Sequence, residues 1–219
     1  MLITHTHYDH LCSFALCQFA GSIKPPTSPV TFYLTEDAYE MAEIICNDQM
    51  LLRNGFQEVL ASGKIKFKQL YYFEKYKIGD FIVIPLPGKH PGTVEKRSAN
   101  FLIENIEHKI IYYGTDTGYY YTETIDFLKN YRIHTFITEC TWGEERELDY
   151  NDKHLSLRTI KLLLNTLSEQ GTLGDFSKIY ITHISHHHTK MHDELQEHVN
   201  RWGEYKFPIF IAYDGMVIK

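Results

Sequence analysis

Short runs rich in Ile, Val, Phe and Tyr alternate along the chain with stretches whose apolar positions recur at helical spacing. β-Branched and aromatic side chains suit a pleated, half-buried surface, and Gly, Pro, Asp or Lys bound each run. The pattern predicts strands at Val30–Thr35, Ile65–Phe73, Phe81–Leu86, Asn100–Glu104, Lys109–Tyr113, Thr135–Thr138, Lys178–Thr182 and Pro208–Tyr213. It predicts helices where Ala38, Met41, Ala42, Ile45 and Cys46 follow Thr35 as N-cap, where Ile160, Leu163, Leu164 and Leu167 follow Ser156, and where Met191, Leu195, Val199 and Trp202 share a stripe. No repeat, low-complexity tract or linker interrupts this; Lys24-Pro25-Pro26-Thr27-Ser28-Pro29 reads as a stiff loop. Strands alternating with helices point to the α/β class, with sheets covered by helices. A length of 219 residues suits one domain over 1–219.

Composition narrows the function. Twenty-two Lys and Arg against 28 Asp and Glu leave a net charge of −6, which argues against the broad basic footprint of a nucleic-acid binder. No apolar run nears the roughly 20 residues of a membrane span, so no membrane partner is expected. The four cysteines (Cys12, Cys17, Cys46, Cys140) form no CxxC pair, and no basic and apolar leader precedes them. A reducing cytoplasm is the expected setting, with Cys12 and Cys17 as small core residues of the first helix.

Histidine changes the picture. Thirteen are present, and three fall in His5-Thr6-His7-Tyr8-Asp9-His10, an H-x-H-x-D-H cluster. Neutral imidazole and carboxylate are ligands for divalent zinc, manganese or iron, and a working site needs several converging from different elements. Ile3 to His7 reads as a strand end whose period of two turns His5 and His7 to one face, with a helix entered through Asp9, His10 and Leu11. Three more β-like runs end in a metal-type side chain. These are Ile84 to His90, Ile110 to Asp116 in a Thr115-Asp116-Thr117-Gly118 turn, and Ile179 to His183. His186-His187-His188 reads as a solvated loop, with His186 the rival of His183. Glu139, after the strand Thr135–Thr138, is a candidate partner of a ligating histidine.

The H-x-H-x-D-H motif, a later lone His, an Asp in Thr-Asp-Thr-Gly and a His in Ile-Thr-His together resemble the metallo-β-lactamase fold superfamily of binuclear metal hydrolases. The wording is most similar to the PhnP-type phosphoribosyl cyclic phosphate phosphodiesterases, through Pro85-Leu86-Pro87, His154-Leu155-Ser156, Ile181-Thr182-His183-Ile184-Ser185-His186 and Tyr213-Asp214-Gly215-Met216. The resemblance implies an αββα sandwich. It implies that His5, His7 and His90 hold one metal, that Asp9, His10 and His183 hold the other, and that Asp116 bridges them with a shared water or hydroxide. Zinc is the first expectation, with manganese or iron as alternatives. Asp9 and His154 would be the catalytic residues, His154 positioning the phosphate or protonating the leaving oxygen.

Two metals suit an anionic phosphodiester, so the expected substrate is a small, cyclic one. A thioester or lactam hydrolase of the same fold is the next reading. A tRNA 3′-processing endonuclease would carry a basic arm that the sequence lacks, and an inactive structural fragment is the reading from outside enzymology. The family's first metal motif normally follows several N-terminal strands, so the likeness implies an N-terminally incomplete domain. Met1 would then be an internal methionine, the chain a natural fragment, or the missing strands supplied by a partner chain; an edge left exposed would invite association, so a homo-oligomer is expected.

Overall fold

The computed structural model describes residues 1–12, 16, 28–53, 56–143, 152–185 and 190–218. The chain forms two compact units, Met1–Glu74 with Pro91–Ala99, and Lys75–His90 with Asn100–Lys219. Their elements give the mixed α/β class expected from the sequence. Among the described residues no helix is long and apolar enough to cross a membrane.

In the first unit, β1 (Val30–Thr35) and β2 (Ile65–Leu70) pair in parallel, Val30 opposite Ile65 and Thr35 opposite Leu70. Parallel neighbours need a crossover connection, and α1 (Glu40–Asn47), α2 (Gln49–Arg53) and α3 (Phe56–Ala61) lie on it. Leu2 forms a parallel bridge to Tyr33, and the Ile3 amide donates to the Tyr33 carbonyl at 3.0 Å. Ile3, Phe32, Leu34, Ile45, Phe56 and Ile65 share one buried cluster.

Thr35 is not the helix cap. The helix starts at Glu40 after Tyr39, which makes no side-chain cap bond, while the Thr35 carbonyl takes the Ala38 amide in a turn. The apolar stripe begins inside that turn, so periodicity alone placed the start too early. The strand predicted over Ile65–Phe73 stops at Leu70, and Phe73 adopts a left-handed φ of +66°. Helices α2 and α3, of five and six residues, are too short to show a stripe.

The second unit is built on a seven-stranded sheet in the order β3 (Tyr76–Ile78), β4 (Phe81–Gly88), β5 (Ser98–Glu104), β6 (Ile110–Gly114), β7 (Thr135–Cys140), β8 (Lys178–Ile184) and β9 (Ile209–Ile211). Pairs β3–β4 and β5–β6 are antiparallel, whereas β6–β7, β7–β8 and β8–β9 are parallel. Among the described residues each parallel step carries one helix: α4 (Thr122–Leu128), α5 (Leu157–Glu169) and α6 (His192–Asn200). Helix α5 follows its sequence pattern. The Thr159 amide donates to Ser156 Oγ at 3.3 Å, and Ile160, Leu163, Leu164 and Leu167 are buried.

Helix α6 begins after Met191, which is 77% exposed, so Met191 stands outside the buried stripe that Leu195 and Val199 keep. Three-residue β3 and helix α4, whose TETIDFL carries β-branched and aspartate residues, had no pattern strong enough to read. At the centre of the sheet Phe136 stacks on Tyr112, ring centroids 5.0 Å apart and planes 8° apart, both fully buried. The Tyr112 hydroxyl accepts from Asn100 Nδ2 at 2.9 Å, which satisfies its oxygen inside the core.

Four consecutive parallel strands, β6 to β9, end on one side, and ligand sites in open α/β sheets lie beyond such carboxyl ends. The central stack sets how firmly those ends are held. Phe136→Ala is expected to lower unfolding free energy by about 3–5 kcal/mol, read as a reduced urea midpoint, because it removes a fully buried ring.

Candidate metal centre

The ends of β6, β7 and β8 and the segment before α5 converge in the second unit. Asp116, Glu139, His154 and His183 each offer a ligand atom there, and these atoms all lie within 4.8 Å of one another. Asp116 follows β6 in a left-handed conformation (φ +50°), and its Oδ1 lies 3.2 Å from His183 Nε2 and 3.8 Å from His154 Nδ1. His183 is also left-handed (φ +51°), at an irregularity in β8 where Glu139 pairs with Thr182 but Cys140 pairs with Ile184. An extra residue in one strand re-aims its side chain. The strand therefore runs past the predicted end at Thr182 and carries His183 on a bulge.

Glu139 is fully buried and organises the group. Its Oε1 accepts from the Thr117 amide at 2.8 Å and from His154 Nδ1 at 2.8 Å, and its Oε2 from the Thr141 and Leu155 amides at 3.1 Å each. Burial pulls the His154 imidazole down, but the hydrogen bond and charge of Glu139, with the charges of Asp116 and Asp152, outweigh it and hold the group above its ordinary pKa. The ring of His154 lies parallel to His183, with centroids 5.9 Å and planes 19° apart, and 4.7 Å from the ring of His90.

Fixed oxygens orient two of the imidazoles. Thr141 Oγ1 lies 2.8 Å from His183 Nδ1 and 3.2 Å from the His183 carbonyl, so one hydroxyl fixes both the ring and the backbone of that residue. His90 Nδ1 donates to the Lys153 carbonyl at 3.1 Å, which in the neutral ring leaves the lone pair on Nε2. Donating one ring nitrogen to a fixed oxygen is how metal-ligating histidines are oriented, so this donor set fits a divalent cation.

The first unit carries the other sequence-predicted residues. His5 is buried, and its Nε2 lies 3.0 Å from Nδ1 of half-buried His7, as expected for two side chains on one face. Thr4 Oγ1 lies 3.1 Å from His5 Nδ1 and 3.3 Å from His10 Nδ1, so it can orient both rings. Asp9 is 77% exposed at its side chain, with Oδ2 3.5 Å from His10 Nε2. The helix expected from Asp9 is, over the described residues, a turn in which the His10 and Leu11 amides both donate to the His7 carbonyl at 2.9 Å. Residues 13–15 and 17–27, Cys17 among them, lie outside the described residues, as do His186, His187 and His188. Cys12 is half-buried rather than core.

Two positioning groups escaped the sequence reading. Buried Glu95 accepts from the Thr6 amide at 2.5 Å and from the Thr6 hydroxyl, and Thr93 Oγ1 donates to the Thr6 carbonyl at 2.6 Å, which pins the residue between His5 and His7. Thr141 is the other. Neither stands in a recognisable spacing, because each acts through contacts distant in sequence. Glu139, flagged as a candidate partner of a ligating histidine, proves to bond His154.

Gly118 closes the turn that presents Asp116. Its amide donates to the Lys89 carbonyl at 3.1 Å, and a Cβ there would lie 1.8 Å from the Asp152 carbonyl oxygen. Because backbone rather than a flexible side chain would have to give, Gly118→Ala is expected to cost about 1–3 kcal/mol in urea unfolding.

Searched by sequence, the chain matches no protein-family model and no curated protein. Compared by structure, it is similar to unliganded yeast PDE1 at 16% identity and TM-score 0.73, covering 98% of this chain and 66% of that one. It is similar to the metallo-β-lactamase fold protein YhfI from Bacillus subtilis at 17% identity and TM-score 0.67, covering 100% and 76%. It is similar to a diphosphatase from the PhnP family at 17% identity and TM-score 0.61, covering 100% and 70%. The chain thus spans 66–76% of these neighbours' lengths, and at such identities likeness speaks for architecture: the chain has the metallo-β-lactamase fold.

Proposed function

We propose that the chain is a metal-dependent hydrolase, a phosphodiesterase acting on a small, anionic, cyclic phosphodiester. The observation that carries this reading is the convergence of Asp116 and His183, the two proposed ligands, with Glu139 and His154, whose metal-type atoms all lie within 4.8 Å of one another. The fold neighbours support it, since they include a phosphodiesterase and a PhnP-family diphosphatase. The proposed ligands are those of the sequence reading: His5, His7 and His90 for one ion, Asp9, His10 and His183 for a second, and Asp116 shared. Zinc is the first candidate, manganese and iron the alternatives.

Bound divalent ions would lower the pKa of a water toward neutrality and offset charge on the phosphoryl oxygens. The chain's own groups supply the rest. Glu139 holds Nδ1 of His154, so Nε2 is the atom that can give a proton to the leaving oxygen, and the raised pKa keeps that proton available nearer neutrality. Asp116 and His183 present Oδ1 and Nε2 to one another at 3.2 Å, a spacing that a cation between two ligands would use. A lactam or thioester centre carries less charge for such a site to share, which is why phosphodiesters are placed first.

Elemental analysis of the zinc-loaded chain, combined with kinetics on phosphodiesters, thioesters and lactams, tests the reading. Two ions per chain and the highest kcat/KM on a phosphodiester are expected. His154→Ala should keep its metal yet turn over about 10²–10³-fold more slowly, least so with an activated leaving group. Asp116→Ala should lose metal and activity together. One ion or fewer after loading, or preference for a lactam or thioester, contradicts the proposal.

A further inference from the structure

Beside His183 the second unit holds a cavity of about 510 Å³ between the end of β8, the start of α6 and the end of β9. Its size lies in the range of small-molecule pockets, which pair apolar walls with a few fixed polar groups. Buried Leu195 and Ile211 line it, with Met191 (77% exposed) and Tyr213 (59% exposed) among its other walls. His192 joins the two sides: its Nε2 donates to the Ile211 carbonyl at 3.0 Å, and its ring meets that of Tyr213 edge-on with centroids 5.6 Å apart. The carbonyl only accepts, so this hydrogen bond fixes the imidazole and, through the ring contact, the face of Tyr213.

We propose that this cavity is the specificity pocket for the organic group of the substrate, and that it selects a flat aromatic or heteroaromatic group attached to the phosphoryl centre. The inference rests on the phosphodiesterase reading and deepens it. Three observations carry it. The pocket shares His183 with the cluster that would hold the reacting group, so a molecule bound at both is one small substrate rather than two ligands. A large aromatic ring and a thioether stand exposed there, where burial against an aromatic ligand recovers apolar area and the favourable ring and sulfur contacts. The histidine brace holds the ring before any ligand arrives, so little side-chain freedom is lost on binding. A sugar or short alkyl ester would leave that ring and thioether in water.

Calorimetric binding of phenylphosphonate and methylphosphonate to the zinc-loaded full chain tests this without turnover. The two probes share the anionic head and differ in the ring. Phenylphosphonate is expected to bind about three- to tenfold more tightly, the order of one aromatic contact. Tyr213→Ala and, separately, Met191→Ala should reduce that ratio, and Tyr213→Phe should keep it. Both residues are exposed, so the variants are expected to fold, and circular dichroism is the check. Equal affinity for the two probes, or a ratio unchanged in both alanine variants, overturns the pocket. If the ring preference and its loss are seen while no phosphodiester is hydrolysed, the pocket stands and the phosphodiesterase reading falls. If phosphodiesters are hydrolysed with no ring preference, the reverse holds.

Discussion

Glu139 sits fully buried near the end of β7, where its two oxygens collect the amides of Thr117, Thr141 and Leu155 and Nδ1 of His154. Each of these donors belongs to a different piece of the site. Thr117 follows Asp116, Thr141 orients His183, and Leu155 follows His154. A lone carboxylate in such surroundings would be costly to bury, whereas one that accepts four hydrogen bonds is satisfied and ties its donors to one point. Remove it and the buried amides of Thr117 and Leu155 lose their acceptor, at about 1–3 kcal/mol each, as does the part-buried amide of Thr141. The loops after β6 and β7 and the entry to α5 thus depend on one side chain.

Backbone strain lies in the same place. Among the described residues four that are not glycine have positive φ, and two of them are Asp116 and His183. Left-handed conformations cost such residues of order 1–3 kcal/mol and persist only where the surroundings over-determine them. For Asp116 the surroundings are the Glu139 bond to Thr117 and the clip between Gly118 and Lys89. For His183 they are the bulge and the Thr141 hydroxyl, which lies 2.8 Å from its Nδ1 and 3.2 Å from its carbonyl. The strain aims Asp116 Oδ1 and His183 Nε2 at each other, the work expected of a site organised before its ligand arrives.

Sequence made the sheet and the strong helix legible, because long apolar runs and the Ser156-capped stripe of α5 are local patterns. It failed where structure is short or bent. Three-residue β3 and helices α2 and α3 lie below the length at which a period can be read, and α4 is composed of weak helix formers. Residues bearing metal-type side chains at strand ends were visible one by one, and Asp116, His154 and His183 do meet, with Glu139, in the second unit. The groups that aim them were not visible. Glu95 reaches Thr6 across 89 positions and Thr141 reaches His183 across 42, separations at which no spacing rule operates.

If Glu139 is the common anchor, the amide hydrogens of Thr117, Thr141 and Leu155 should behave as one set in native-state hydrogen exchange. The measurement compares their protection in the full chain with that in Glu139→Ala. Slow exchange at a shared opening free energy, lost by all three together on substitution, is the result the account predicts. Unrelated rates, fast as in exposed loops, or protection unchanged without the carboxylate, would contradict it.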